Sequence, residues 1–306
     1  MTDTDLRLRV ATANLKRAGY NRRTRGHEHD KLAAMLAPLQ ESPHALFLSE
    51  CTHYTGMPFD PDPDPFEEVV QLLSSLWVRR GPDGRKFGEV PYRGYISEVP
   101  GSVNLPGLFI DPRIITPCRR YALANSRRQL ANSVTTTING HRFRLKCVHW
   151  NGSRGETGFN EQADQDGQLA SENAILAGDF NATSSAEGET VYEDWGGQCD
   201  KVGRPWQRSQ KGTRRPDGTW GTNTGSIDRF LEHGWWDAGQ VAGDFRVTTT
   251  EPETALRIDR IMLSKRSPAQ IDPGAYEVHE HPLRSKGAQK NDHLMVSGEI
   301  IVRAAA

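Results

Sequence analysis

Four cysteines in 306 residues, far apart and with no C-x-x-C spacing, leave no framework for a disulfide scaffold or a structural zinc site. Three of them (Cys51, Cys118 and Cys147) sit in or beside expected strands, so reduced, buried thiols are expected. No uninterrupted apolar stretch approaches the roughly 18 residues of a membrane helix. The N-terminal Met1-Thr2-Asp3-Thr4-Asp5 is acidic and lacks the apolar core of a signal peptide, so a soluble, cytoplasmic protein is expected. Neither sign of charge is in excess, with 38 basic against 39 acidic residues. Any attraction to nucleic acid must therefore come from a local patch rather than the whole surface. Internal repeats, low-complexity tracts and a recognisable linker are also missing, so residues 1–306 are read as a single domain. No nucleophilic Ser or Cys motif stands out, which turns attention away from covalent catalysis.

The chain does contain short buried strands that end in polar residues. Leu6 to Leu15 opens as a strand. Lys31 to Leu39 reads as a helix, because Leu32, Met35, Leu36 and Leu39 recur at helical spacing. Ala45 to Ser49 follows as an apolar strand that runs into Glu50. Strand, helix and strand in that order signal an α/β fold. Pro58 to Pro65 alternates Pro and Asp and reads as an irregular loop. Phe66 to Trp77 has the pattern of an amphipathic helix. Tyr92 to Val148 is strand-rich, with a hairpin split at Asn139-Gly140. Gly155 to Glu172 is a polar helix candidate. Gly196 to Thr224 shows no periodicity and is expected to be a long loop. Leu256 to Leu263 and His293 to Val302 are expected to be the last strands.

The most informative stretch is Ala174-Ile-Leu-Ala-Gly-Asp-Phe-Asn181. A buried strand here delivers Asp179 and Asn181 to its C-terminal edge, and residues two apart on an extended segment share a side. Ligands collect at such edges in α/β folds. Taken alone, Asp179 also fits an ordinary strand-ending turn, and His149 alone fits a satisfied core histidine. The other strand ends shift both readings towards function. Asn14, Glu50, His149, Asp259, Asp292 and His293 each follow or interrupt an apolar run. Carboxylates, amides and two imidazoles point to metal-assisted hydrolysis, and oxygen donors suit a hard cation such as magnesium.

This ordered set resembles the endonuclease/exonuclease/phosphatase superfamily. The motifs that carry the resemblance are Asn14, Glu50, His149, Gly178-Asp179-Phe180-Asn181, Ile258-Asp259-Arg260-Ile261 and Asn291-Asp292-His293, and they span nearly the whole chain. The resemblance implies a four-layer α/β sandwich, two packed mixed β-sheets flanked by helices. It also implies a phosphoester hydrolase that uses Mg2+, or alternatively Mn2+. Glu50 and Asp292 would bind the metal, with Asn14 positioning the site. Asp179 would orient or deprotonate the attacking water, or serve the leaving group. Asn181 would donate to the scissile phosphate. His293, oriented by Asp259, would contact the phosphate, and His149 would approach it from the other side. Family nucleases usually carry a further polar residue supporting that histidine, which would fall between Glu98 and Asp111.

Substrate contacts are expected from Arg17, Arg22 and Asn151, and from Trp206 and Arg208 in the Gly196–Thr224 stretch. Arg23, Arg25, Arg204, Lys211, Arg214, Arg215 and Trp220 add to these clusters. Basic residues interleaved with aromatics suit phosphate contact and base stacking, and equally describe a solvated loop. Ser226-Ile-Asp-Arg229 repeats the Ile-Asp-Arg pattern, but it reads as a helix with Asp228 exposed or capping. The expected partner is a phosphoester, with nucleic acid as one form of it and no membrane. A small-molecule phosphatase, a silent binding module and a metal site recruited to biosynthesis remain open, because fold does not fix substrate.

Overall fold

The structure is a computed structural model and describes residues 5–16, 20–21, 26–27, 29–51, 65–83, 85–96, 105–121, 130–280 and 292–305. Arg17, Arg22, Arg23, Arg25, the Pro58–Asp64 run, Glu98 and Asn291 lie outside them. Along the chain come β1 (Leu6–Asn14), β2 (Tyr20–Asn21), β3 (Gly26–His27), α1 (His29–Leu36), β4 (Ala45–Ser49), α2 (Pro65–Ser75), β5 (Arg79–Arg80), β6 (Lys86–Phe87), β7 (Arg93–Ile96), β8 (Gly107–Ile110) and β9 (Ile115–Tyr121). The second half holds β10 (Leu130–Ile138), β11 (His141–His149), α3 (Gly155–Gly167), β12 (Ala174–Asp179), α4 (Trp195–Lys201), α5 (Gln207–Lys211), β13 (Gly212–Arg214) and β14 (Trp220–Thr222). It closes with α6 (Gly225–Glu232), β15 (Trp235–Asp237), α7 (Ala238–Ala242), β16 (Asp259–Ser264), β17 (Ala269–His279) and β18 (Met295–Val302).

Two six-stranded mixed sheets result, ordered β17-β18-β1-β4-β8-β7 and β15-β16-β12-β11-β10-β9. Each has one parallel pair at its centre, β1 with β4 and β11 with β12, among antiparallel neighbours. The pleat sorts side chains into layers, because alternate residues face opposite ways. Ala45 and Phe47 enter the core between the sheets, together with Leu8, Val10, Leu145, Ile175 and Ile261. Leu46 and Leu48 instead face α1 and α2, packing with Leu32, Met35, Val69 and Leu73. On the far side, Val148, Leu176 and Met262 pack under α3 and α6 against Phe159 and Phe230. Helices, sheet, sheet and helices make the four expected layers. No helix among the described residues is long and apolar enough to cross a membrane.

Three expectations need correction. Residues 196–224 are not a long loop but contain most of α4, then α5 and the β13–β14 ribbon. These elements are three to seven residues long, too short to show a period. The closing strands also number more than two, because β17 precedes β18. Its Asp272-Pro273-Gly274 reads as a turn, yet the register shift between Asp272 and Glu277 absorbs it within an edge strand, where a proline is tolerated. Finally, Cys51 and Cys147 are buried and free as expected, but Cys118 is exposed on the edge strand β9.

Candidate active site

Parallel and antiparallel pairing bring six segment ends to one edge of the sandwich. β1 and β4 end together, with Asn14 opposite Ser49. β11 and β12 end together, with His149 opposite Asp179. β16 is antiparallel to β12, so its first residue, Asp259, stands opposite Asp179. His293 bridges to Thr249 just before β18. Gly178 allows this convergence. It sits at φ +146°, and a β-carbon there would lie 1.9 Å from the Val148 carbonyl oxygen. Only glycine lets β12 approach β11 so closely.

Asn14, Asp179, Asp259 and His293 form a buried floor, with Glu50, His149, Asn151, Asn181 and Asp292 half-buried around it. Asn14 joins the two sheets, its Nδ2 donating to Asp179 Oδ2 at 2.9 Å and to Glu50 Oε1 at 3.4 Å. The other Asp179 oxygen accepts from the Asn181 main-chain N–H at 2.7 Å. The Asn181 Nδ2 donates to the Trp150 carbonyl at 3.0 Å. His149 Nε2 lies 3.7 Å from Asp179 Oδ2 and 3.9 Å from Glu50 Oε1. On the opposite flank, His293 Nδ1 is 2.8 Å from Asp259 Oδ2.

Electrostatics separate these groups. Burial would push the His293 imidazole down, but Asp259, Asp179 and Asp292 outweigh it and raise it to about 9. Burial raises the Asp259 carboxyl, although His293 opposes the shift. Burial would also raise Asp292, yet His293 and Lys16 hold it below the usual carboxylate range. Asp179, Asp259 and His293 place possible ligand atoms within 4.8 Å of one another. Raising the His293 imidazole makes it hold its proton more tightly, and so makes it a poorer metal ligand. Hard oxygen donors for a metal lie at the rim instead. Asp292 Oδ1 is buried without a hydrogen-bond partner among the described residues, and Glu50 is held towards Asn14. The donor set fits a magnesium-like ion.

The expected substrate contacts are more scattered. The Asn151 N–H donates to Gln162 Oε1 at 2.8 Å, which ties this rim residue to α3. Trp206 is 55% exposed. Arg208 is paired with Asp200, as Arg204 is with Glu251 and Arg215 with Glu193. Much of the basic character of this region is thus already committed to acids. Asp111 does not support His149: it pairs with Arg113 at 2.7 Å beside His44, at the opposite end of β4. Asp228 is half-buried in the first turn of α6 and accepts from the Ser185 N–H.

Several residues that shape the site are not visible in the sequence. Ser49 Oγ donates to the Val148 carbonyl at 3.1 Å and accepts from the Asp179 N–H at 3.4 Å. Thr248 Oγ1 accepts from both the Ile258 and Asp259 N–H groups at 3.0 Å. Trp150 is wedged edge-on against Phe180 and Phe230, fixing the carbonyl that holds Asn181. Behind Asp259, Arg257 and Arg260 share Asp237 and Glu189 in a quartet of fully buried charges. Thr183 and Ser184 donate to Glu189, so the segment after Asn181 is pinned to the strand that carries Asp259.

No family model matches the chain, and no curated protein matches it by sequence. Solved structures do match. An endonuclease/exonuclease/phosphatase from Bacteroides vulgatus superposes with a TM-score of 0.61 at 13% identity, covering 97% of this chain and all (100%) of that one. The chain has the endonuclease/exonuclease/phosphatase fold. D. rerio TDP2 complexed with a single-strand DNA product gives a TM-score of 0.56 at 13% identity, covering 97% of this chain and 99% of that one. The human Nocturnin catalytic domain with bound sulfate gives 0.54 at 16% identity, covering 96% and 93%.

Proposed function

We propose that this protein is a divalent-metal-dependent phosphoester hydrolase, a nuclease-like phosphodiesterase in which a positioned water attacks phosphorus. The observation that carries the reading is the convergence of Asn14, Glu50, His149, Asp179, Asn181, the Asp259–His293 pair and Asp292 at one edge of the two sheets. Glu50 and Asp292 hold the metal, with Asn14 keeping Glu50 and Asp179 in register. A bound Mg2+ or Mn2+ supplies charge neutralisation at the phosphate and eases ionisation of water. Asp179, its two oxygens aligned by Asn14 and Asn181, orients the attacking water. Asp259 fixes the His293 ring, which polarises the phosphate, while Asn181 donates to it. His149 serves the leaving-group side. A phosphodiester transition state needs charge neutralisation, a placed nucleophile and a protonated leaving oxygen, and these groups supply all three. The nucleic-acid form of the reading is supported by the DNA product bound by the D. rerio neighbour.

The test is a substrate panel of plasmid DNA, single-stranded DNA, RNA, bis(p-nitrophenyl) phosphate and phosphomonoesters, run with Mg2+, with EDTA and with His293→Ala. Cleavage of a diester that EDTA and the variant both abolish is the expected result. Turnover of phosphomonoesters alone transfers the site to a small-molecule phosphatase. No turnover despite bound metal overturns the hydrolase reading.

A further inference from the structure

Lys16 stands two residues beyond Asn14 and takes no part in the ordered motifs. Its backbone is left-handed, at φ 46°. The Lys16 main-chain N–H donates to Asn14 Oδ1 at 2.8 Å, which sets the amide so that Nδ2 faces Asp179 and Glu50. Its ammonium lies 2.8 Å from Asp292 Oδ2, and the two side chains are 40% and 20% exposed. Asp292 is therefore divided between an ammonium on one oxygen and a buried second oxygen that has no hydrogen-bond partner among the described residues.

We propose that Lys16 is an internal cation that competes with the divalent metal for Asp292 and thereby sets the metal affinity of the site. The inference rests on the metal-dependent reading above. A dication that binds Asp292 meets the ammonium at the same carboxylate and is repelled by it. The lysine must then release its oxygen or remain as a neighbouring like charge, and either response weakens metal binding. A half-exposed ion pair is worth little, because water screens it. The competition is accordingly soft: it tunes affinity and does not block the site. Lys16 acts through Asp292 and is a positioning residue.

The direct readout is calorimetric titration of the full chain with Mg2+ in the absence of substrate. Lys16→Met removes the charge but keeps the aliphatic stem and the main-chain contact to Asn14. It is expected to bind Mg2+ about fivefold more tightly than the parent chain. Lys16→Arg keeps the charge and is expected to match the parent, while Asp292→Asn is expected to weaken binding. Lys16→Gln gives a second neutral variant, and circular dichroism establishes that each is folded. Unchanged or weaker binding in both neutral variants, while Asp292→Asn still loses affinity, overturns the role of Lys16 and leaves the hydrolase reading intact. Tighter binding in the neutral variants with no turnover on the substrate panel supports Lys16 and removes the hydrolase reading. A parent chain that binds neither Mg2+ nor Mn2+ overturns both.

Discussion

Asp237→Asn isolates the energetics of the buried quartet. In the parent chain the Asp237 carboxylate accepts from Arg257 Nη1 at 3.0 Å and Nη2 at 2.7 Å, from Arg260 Nη1, and from the Gly239 N–H in the first turn of α7. The side chains of all four charged residues have zero exposure. Two guanidiniums face two carboxylates, so the cluster is neutral. Burial alone would raise Asp237, but Arg257 and Arg260 hold it far below the usual carboxylate range. The substituted amide would keep the shape and one acceptor for the helix cap. It would also leave a positive charge uncompensated and turn an N–H donor towards a guanidinium. Removing one partner of a buried pair costs about 3–5 kcal/mol. With a urea slope of about 3 kcal/mol per M, the midpoint should fall by about 1–1.7 M. Tryptophan fluorescence in a urea titration reads this directly. Adding Arg260→Met restores neutrality, so the double variant should be more stable than the summed single losses by about 1 kcal/mol. A midpoint shift under about 0.3 M for Asp237→Asn, or strict additivity in the double variant, would refute the argument.

His44 sets an acid limit on stability at the other end of the sandwich. Its Nδ1 accepts from the Arg9 main-chain N–H at 3.1 Å, and burial with Arg9 beside it pushes the imidazole down to about 4. The unfolded chain therefore binds the proton first: the contribution is whole above about pH 6.5 and is lost as pH falls towards 4, up to about 3 kcal/mol. His44→Asn keeps an acceptor without titrating and should flatten the fall in urea midpoint between pH 7 and 4.5; an unchanged slope would count against His44. Gly178→Ala would drive a methyl into the Val148 carbonyl and should lower the thermal midpoint by roughly 5 °C or more. A shift within about 2 °C would show that β12 and β11 can separate without loss.

Much of the fold was legible in the chain because its core strands are short continuous apolar runs, buried throughout, and its helices α1 and α2 are amphipathic. Leu46 and Leu48 against Ala45 and Phe47 already predict a strand covered on both faces. The site floor was legible for a related reason: Asn14, Asp179 and Asp259 interrupt apolar runs, where a polar residue stands out. Where the short elements of residues 196–224 lie, no period can build up. Arg260 was hidden for another reason. In sequence it is simply a charged residue beside Asp259, and nothing local shows that Arg257, Glu189 and Asp237 will meet it away from water. Thr248 and Ser49 were hidden likewise, because a hydroxyl that caps a neighbouring strand has no spacing signature.

The backbone at the site follows the same division. Four non-glycine residues among those described have positive φ: Lys16, Glu50, Asn139 and Asn181. Asn139 was predictable, since Asn-Gly between two strands asks for a left-handed turn, and Gly140 follows it at φ 83°. Lys16 and Glu50 carry no such signal, because their long side chains gain nothing from that conformation. Both lie just past a strand end, as does Asn181, and all three border the same edge. A strand would send successive side chains to opposite faces. A left-handed residue breaks the alternation and turns the chain, so that the successive residues Ser49 and Glu50 both serve one site. Each such residue costs on the order of 1 kcal/mol or more. That cost falls on residues whose side chains and N–H groups hold Asn14, Asp179 and Asp292, while the surrounding sheets keep regular geometry. The strain thus marks the site independently of any carboxylate or imidazole in it.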